Sequence, residues 1–218
     1  MFFKNEQAIQ INDLIRRIHR RTGVPLTAVV TDRCDGYPEI PWKAFAAAIV
    51  LNGLVQFFQI LFPPPQLSPW NVPRTMGFFI GTSAAVALLT IFWPAFGRVF
   101  LNRQRAEANT SRFAQTVFLD REMYQAPGRN ALLLMVGVFE SQAVLLADRA
   151  LLERLTPVAL SPVTSRMRPL LQRQAYFNAL SEGLAALERT LLDAGFNSNT
   201  EATAPSDIGL VQLKTKDS

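Results

Sequence analysis

Four carboxylates stand where a metal ion could use them. Asp32 and Asp35 follow the β-branched run Leu26 to Thr31, with Glu39 close behind, and Asp148 ends a later apolar run, Ala143 to Ala147. Carboxylate oxygens are the ligands that hard divalent cations such as calcium take. A cation held by them could activate water for metal-assisted hydrolysis. If the two strands run side by side in one direction, Asp32, Asp35 and Asp148 converge at one end of a sheet. The same residues also have a purely structural reading. Asp32 and Asp35 then form turns, and Asp148 pairs with Arg149 or caps the next helix. Cys34 is the one cysteine and His19 the one histidine. An intrachain disulfide, a cysteine-based zinc site and any chemistry needing two imidazoles are therefore excluded. Cys34 lies between two acidic residues, which raises the expected thiol pKa and lowers its reactivity.

The elements that must position these groups are unusual in composition. Of 218 residues, 49% are apolar and 18% charged, with a net charge of +5. An average soluble domain is roughly 25% charged. Two stretches, 44–62 and 76–97, hold no charged residue at all. As helices they would be about 28 and 33 Å long, matching the hydrocarbon core of a bilayer. Between them, 63–75 contains Pro63-Pro64-Pro65 and Ser68-Pro69-Trp70-Asn71-Val72-Pro73, where a helix cannot continue. Trp42, Trp70 and Trp93 fall near the ends of the runs, where an indole favours the membrane interface. Residues 43–97 are accordingly expected to form a transmembrane hairpin. The alternative, two buried helices of a soluble domain, would call for a polar face. The first run offers only Asn52, Gln56 and Gln59.

Those three amides share one helical face. The second run carries the small-residue stripe Gly77, Gly81, Ala85, which allows close helix approach. The two faces are expected to pack on each other, with the amides bonding across the hairpin. The other reading is a polar path for a solute, or an oligomer contact.

Topology follows from the basic residues. Arg98, Arg103, Arg105 and Arg112 follow the second run, and Arg33 and Lys43 precede the first. Arg16, Arg17, Arg20 and Arg21 lie further back, and the connecting loop has only Arg74. Loops rich in Lys and Arg stay in the cytoplasm, so both termini are expected there, on a two-pass protein of the inner or plasma membrane. The opening residues Met1-Phe2-Phe3-Lys4-Asn5-Glu6 lack an apolar core, so no cleavable signal peptide is expected. The early Arg cluster reads as a solvated face or a neighbour of anionic headgroups, and nucleic acid is not expected as a partner.

Flanking the hairpin, Ile11, Leu14, Ile15 and Ile18 mark a helix that Gly23 stops. Leu26 to Thr31 reads as a strand. After the hairpin, 98 to about 123 reads as helical, and the runs Ala131–Phe139 and Ala143–Ala147 as antiparallel strands joined by a short turn. Helices are expected around Val163–Arg173 and Tyr176–Ala194, and a disordered tail over 196–218. A lone strand and a strand pair are each marginal. One sheet drawn from 1–36 and 98–195 and covered by helices is the economical α/β solution, with the hairpin inserted after the first strand.

The motifs Thr22-Gly23, Leu26 to Val30, Arg129 to Val136, Phe139-Glu140-Ser141-Gln142 and Ala143 to Leu151, in that order, resemble the TPM-domain family. Tyr176, Ala179, Leu180, Gly183 and Leu184 are similar to its closing helix. The family groups thylakoid acid-phosphatase-like proteins, photosystem-repair factors and receptor accessory proteins. Ala150 stands where its pattern has glycine after Asp148-Arg149. The resemblance covers about 3–36 and 98–195. It implies a small mixed β-sheet covered by helices, split here by the hairpin, and for some relatives a phosphatase label. The residues narrow that label. Ile40, not arginine, lies six positions after Cys34, and no Asp-x-Asp motif or Gly-x-x-x-x-Gly-Lys loop occurs. A metal-dependent route through Asp32, Asp35 and Asp148 remains.

Three functions are therefore in view. The leading one is a membrane-anchored module that binds another protein, in assembly or quality control of membrane complexes. The second is a metal-dependent phosphatase on the same scaffold. The third is a small subunit of an integral membrane complex.

Overall fold

The computed structural model describes residues 3–62, 71–123, 130–197 and 209–213. The chain divides into two compact units. One combines Met1–Asp35 with Arg103–Ser218, and the other is Gly36–Asn102.

The first unit opens with α1 (Asn5–Thr22). Ile11, Ile15 and Ile18 line its buried face, at the spacing that a 3.6-residue turn requires. Gly23 ends it at φ 70°, donating its N–H to the His19 carbonyl at 2.7 Å. That left-handed conformation suits glycine. Strand β1 (Leu26–Thr31) follows and is buried throughout.

The second unit holds α2 (Glu39–Leu61), α3 (Asn71–Phe92) and the one-turn α4 (Pro94–Gly97). Helix α2 begins five residues before the uncharged run, and α3 begins at Asn71, inside the expected loop. The remainder of that loop, 63–70, lies outside the described residues. The second run is broken at Pro94, which has no N–H to continue the ladder.

The first unit resumes with α5 (Arg103–Asp120), β2 (Leu132–Gly137), β3 (Gln142–Ala147), α6 (Arg149–Arg154), α7 (Pro157–Gln172), α8 (Tyr176–Asp193) and β4 (Gly209–Leu213). The strands form one mixed sheet in the order β3-β2-β1-β4. β1 runs parallel to both β2 and β4, and β3 returns antiparallel to β2. The protein is thus α/β, mostly helical, with a small mixed four-stranded sheet. The first strand and the later pair do share one sheet.

Each strand presents alternate residues to opposite faces. Ala28, Val30, Leu134 and Val136 face a core completed by Ile11, Ile15, Met167, Leu184 and Leu187 of α1, α7 and α8. Val29, Leu133 and Met135 face a second cluster with Ala114 and Val117 of α5. The helices of the larger layer fit closely at Gly183, where a Cβ would overlap the Met167 thioether.

The expected disordered tail is corrected at two places. Phe196 is buried, with the Arg154 guanidinium 4.2 Å from its ring centre. Gly209–Leu213 forms β4 against β1, with Leu210 on the larger core and Val211 and Leu213 on the smaller. Polar composition over 196–218 hides this short alternating segment.

Candidate functional site

The C-terminal ends of β1 and β2 carry a cluster of hydrogen-bonded polar groups. Val138 N–H donates to the Thr31 carbonyl and Phe139 N–H to the Asp32 carbonyl, each at 2.9 Å. These bonds carry the parallel pairing past the strand ends and fix the β2–β3 turn against the exit of β1. Ser141 closes the turn at φ 51°. Within it, Glu140 is 4% exposed. Its Oε1 accepts the Cys34 N–H at 2.9 Å. A carboxylate buried this deeply must be hydrogen-bonded.

Room for it comes from Gly137, where a Cβ would stand 2.6 Å from Glu140 Oε2 and 3.0 Å from Cys34 Sγ. Asn109 of α5 donates to Asp35 Oδ2 at 2.8 Å. The Arg33 guanidinium lies 4.4 Å from the Phe139 ring centre, a cation–π distance. Thr31 Oγ1 donates to the Arg33 carbonyl at 3.1 Å.

Burial pushes the Cys34 thiol far above its ordinary pKa. The Glu140 carboxylate adds to that shift, and a hydrogen bond with Thr110 opposes it. Cys34 is therefore a neutral thiol at pH 7, neither a nucleophile nor a thiolate ligand. The cluster's chemistry is cohesive. It ties the loop leaving β1 to a turn that lies far along the chain. Glu140→Ala is expected to leave the Cys34 N–H unpaired and to destabilise this unit by about 1–3 kcal/mol. Chemical denaturation followed by far-UV circular dichroism would measure it.

The structure does not bring the three metal-ligand candidates together. Asp32 and Asp35 sit at the C-terminal end of β1. Asp148 follows β3, which is antiparallel to β2, and Leu132 pairs with both Leu26 and Ala147. Asp148 therefore stands at the opposite end of the sheet, level with Pro25 and roughly 23 Å from Asp32 at the rise of an extended strand. It caps α6, accepting the Arg149 N–H on Oδ1 at 2.6 Å. Among the described residues no three His, Cys, Asp or Glu side chains are grouped to hold a metal ion. Asp32, Asp35 and Asp148 thus do not fit a shared divalent cation such as calcium. The structural alternative, a helix cap at Asp148, is what the fold uses.

In the second unit Asn52 donates to Thr82 Oγ1 at 3.1 Å and Ser83 Oγ at 3.2 Å. Gln56 is half-buried beside it, and Gln59 is exposed. The partner face on α3 differs from expectation. Gly77, Gly81 and Ala85 are exposed, and a Cβ on either glycine would meet nothing within 4 Å. The stripe that meets α2 instead includes Ser83, because the Asn52 amide needs a hydroxyl partner in an apolar setting.

Glu140 and Gly137 were not among the sequence candidates. Their signal is a carboxylate and a glycine at the end of a fully apolar strand, a place where a turn alone requires neither.

No family model matches the chain, and no curated protein matches it. Among solved structures the chain is similar to the BA42 protein of the psychrophilic bacterium Bizionia argentinensis, determined by NMR. The TM-score is 0.55 at 10% identity, over 98% of this chain and 97% of that one. At such identity the likeness concerns the fold alone.

Proposed function

We propose that this protein is a membrane-anchored module of the TPM type that acts by binding another protein, in assembly or quality control of membrane complexes. In this reading α2 and α3 cross the bilayer as a hairpin, and the unit built from both flanking segments lies in the cytoplasm with the termini.

One observation carries the anchor. The most apolar windows of Glu39–Gln59 and Arg74–Phe92 are long and apolar enough to span a membrane, and only 11% of each is buried. A core helix of a soluble protein would be mostly covered. Phe57 is 58% exposed, and Leu54, Phe78, Ile80 and Ile91 are similarly bare. Trp42 and Trp93, 72% and 60% exposed, stand near the outer ends of the two helices, as interfacial anchors do. The binding role is favoured over hydrolysis because burial and the neighbouring Glu140 carboxylate keep the Cys34 thiol protonated, and the described residues hold no grouped metal ligands.

The test is cysteine labelling in intact membranes, in a Cys34→Ser background. Lys4→Cys and Glu153→Cys are expected to react only from the cytoplasmic side, and Ser68→Cys only from the other. Labelling of Lys4→Cys and Glu153→Cys from opposite sides sinks the anchor, as does release of the protein by alkaline carbonate. Crosslinking in the same membranes, read by mass spectrometry, is expected to capture a specific membrane-complex component. Phosphate release by the purified protein in magnesium, manganese or calcium would sink the binding role.

A further inference from the structure

Strand β3 is an edge of the sheet, with β2 on one side and no strand beyond it among the described residues. The direction of its backbone groups follows from two bonds. Asp148 N–H donates to the Ala131 carbonyl at 2.9 Å, and Leu132 N–H donates the other way, to Pro25. With the β2–β3 register, Gln142, Val144 and Leu146 turn their N–H and C=O groups toward β2. Ala143, Leu145 and Ala147 turn theirs outward. This strand, Gln142-Ala143-Val144-Leu145-Leu146-Ala147, carries no charge, proline or bulge, so it lacks the usual means of blunting an edge.

Among the described residues, an ion pair reaches across the rim. Glu107 comes from α5 on one face of the sheet and Arg168 from α7 on the other. With Gln142, Ala143, Val144, Thr164 and Ser165 they line a groove of about 240 Å³. Both partners are largely exposed, and such a pair opens at little cost.

We infer that β3 pairs edge to edge with β3 of a second copy of this chain, antiparallel about Leu145, to make a continuous eight-stranded sheet. This goes beyond the membrane-anchor reading and does not depend on it. A second copy is the occupant because the strand is nearly a palindrome. A two-fold axis through Leu145 sets Ala143 opposite Ala147 and Val144 opposite Leu146. Every outward-facing residue then meets an outward-facing residue, so all their N–H and C=O groups can pair. Charge agrees. Gln142 falls opposite Asp148 of the second copy, which brings Arg168, in the same groove as Gln142, toward a carboxylate. The symmetry makes that attraction twice.

The test uses the full chain in detergent micelles. Sedimentation and light scattering are expected to give the mass of two chains. Hydrogen exchange is expected to show amides 143, 145 and 147 gaining protection as concentration rises, with 142, 144 and 146 unchanged. Ala143→Pro removes an outward donor and no bond to β2, and is expected to weaken the dimer at least about tenfold with an unchanged circular dichroism spectrum. Arg168→Glu lies on an exposed side chain and serves if the proline variant does not fold; it is expected to weaken the dimer several-fold. A single-chain mass at every concentration overturns the inference. So does a dimer that leaves β3 exchange unchanged, a dimer indifferent to the folded variants, or β3 protection that requires another protein.

Discussion

Leu134→Ala is expected to lower the stability of the sheet-bearing unit by about 3–5 kcal/mol, at the upper end for a buried leucine. Leu134 is fully buried at the centre of β2, the strand flanked on both sides by β1 and β3. Its side chain enters the core shared with α1, α7 and α8. Those helices close over the sheet from different parts of the chain, so a void at Leu134 cannot be filled by shifting one of them. Removing the side chain forfeits both its transfer free energy and its packing contacts. The unit should melt about 10 °C lower, at roughly 2–4 °C per kcal/mol for a domain of this size. Far-UV circular dichroism of the full chain in detergent would record it. A loss below about 1 kcal/mol would mean that the core around β2 is looser than described.

The second large effect is expected from ending the chain at residue 208. This removes β4, and with it the bond from Leu210 N–H to Asn12 Oδ1 at 2.7 Å and the packing of Leu210, Val211 and Leu213 on both cores. Three half-buried apolar side chains contribute about 3 kcal/mol together. The sharper readout is hydrogen exchange in β1. Thr27, Val29 and Thr31 face β2, whereas Ala28 and Val30 face β4, as the bonds at either end of the β1–β2 pair and the strand alternation require. Truncation should therefore expose the amides of Ala28 and Val30 while sparing those of Thr27, Val29 and Thr31. Uniform loss of protection along β1 would show that β4 supports the whole unit rather than its edge.

Much of this architecture is legible in the residues. The β-branched run Leu26–Thr31, the hairpin-sized gap at Glu140–Gln142 and the isoleucine stripe of α1 each mark an element whose local preference and burial agree. Other features depend on partners that periodicity does not name. The sequence marks β2 and β3 as antiparallel neighbours but does not state that β1 runs with β2. That direction alone sends Asp148 to the far end from Asp32. In α3, apolar on all sides, no polar face marks the inward stripe, so the glycines and Ser83 compete, and a single amide on α2 decides. β4 is too short to register against the polar residues around it. Glu140 reads as part of a turn because nothing in its neighbourhood shows that Cys34 will lie beside it.

The order in which the strands are made sets a burden on biosynthesis. β1 is central and wholly buried, yet its neighbours are encoded far downstream, Leu133 for Thr27 on one side and Gly209 on the other. A ribosome would need roughly ten seconds to reach the first of them. During that wait Leu26–Thr31 is a sticky β-forming stretch with nothing to pair with. The nascent protein should accordingly be a client of holding chaperones, and its sheet should close only after Leu213 has been made.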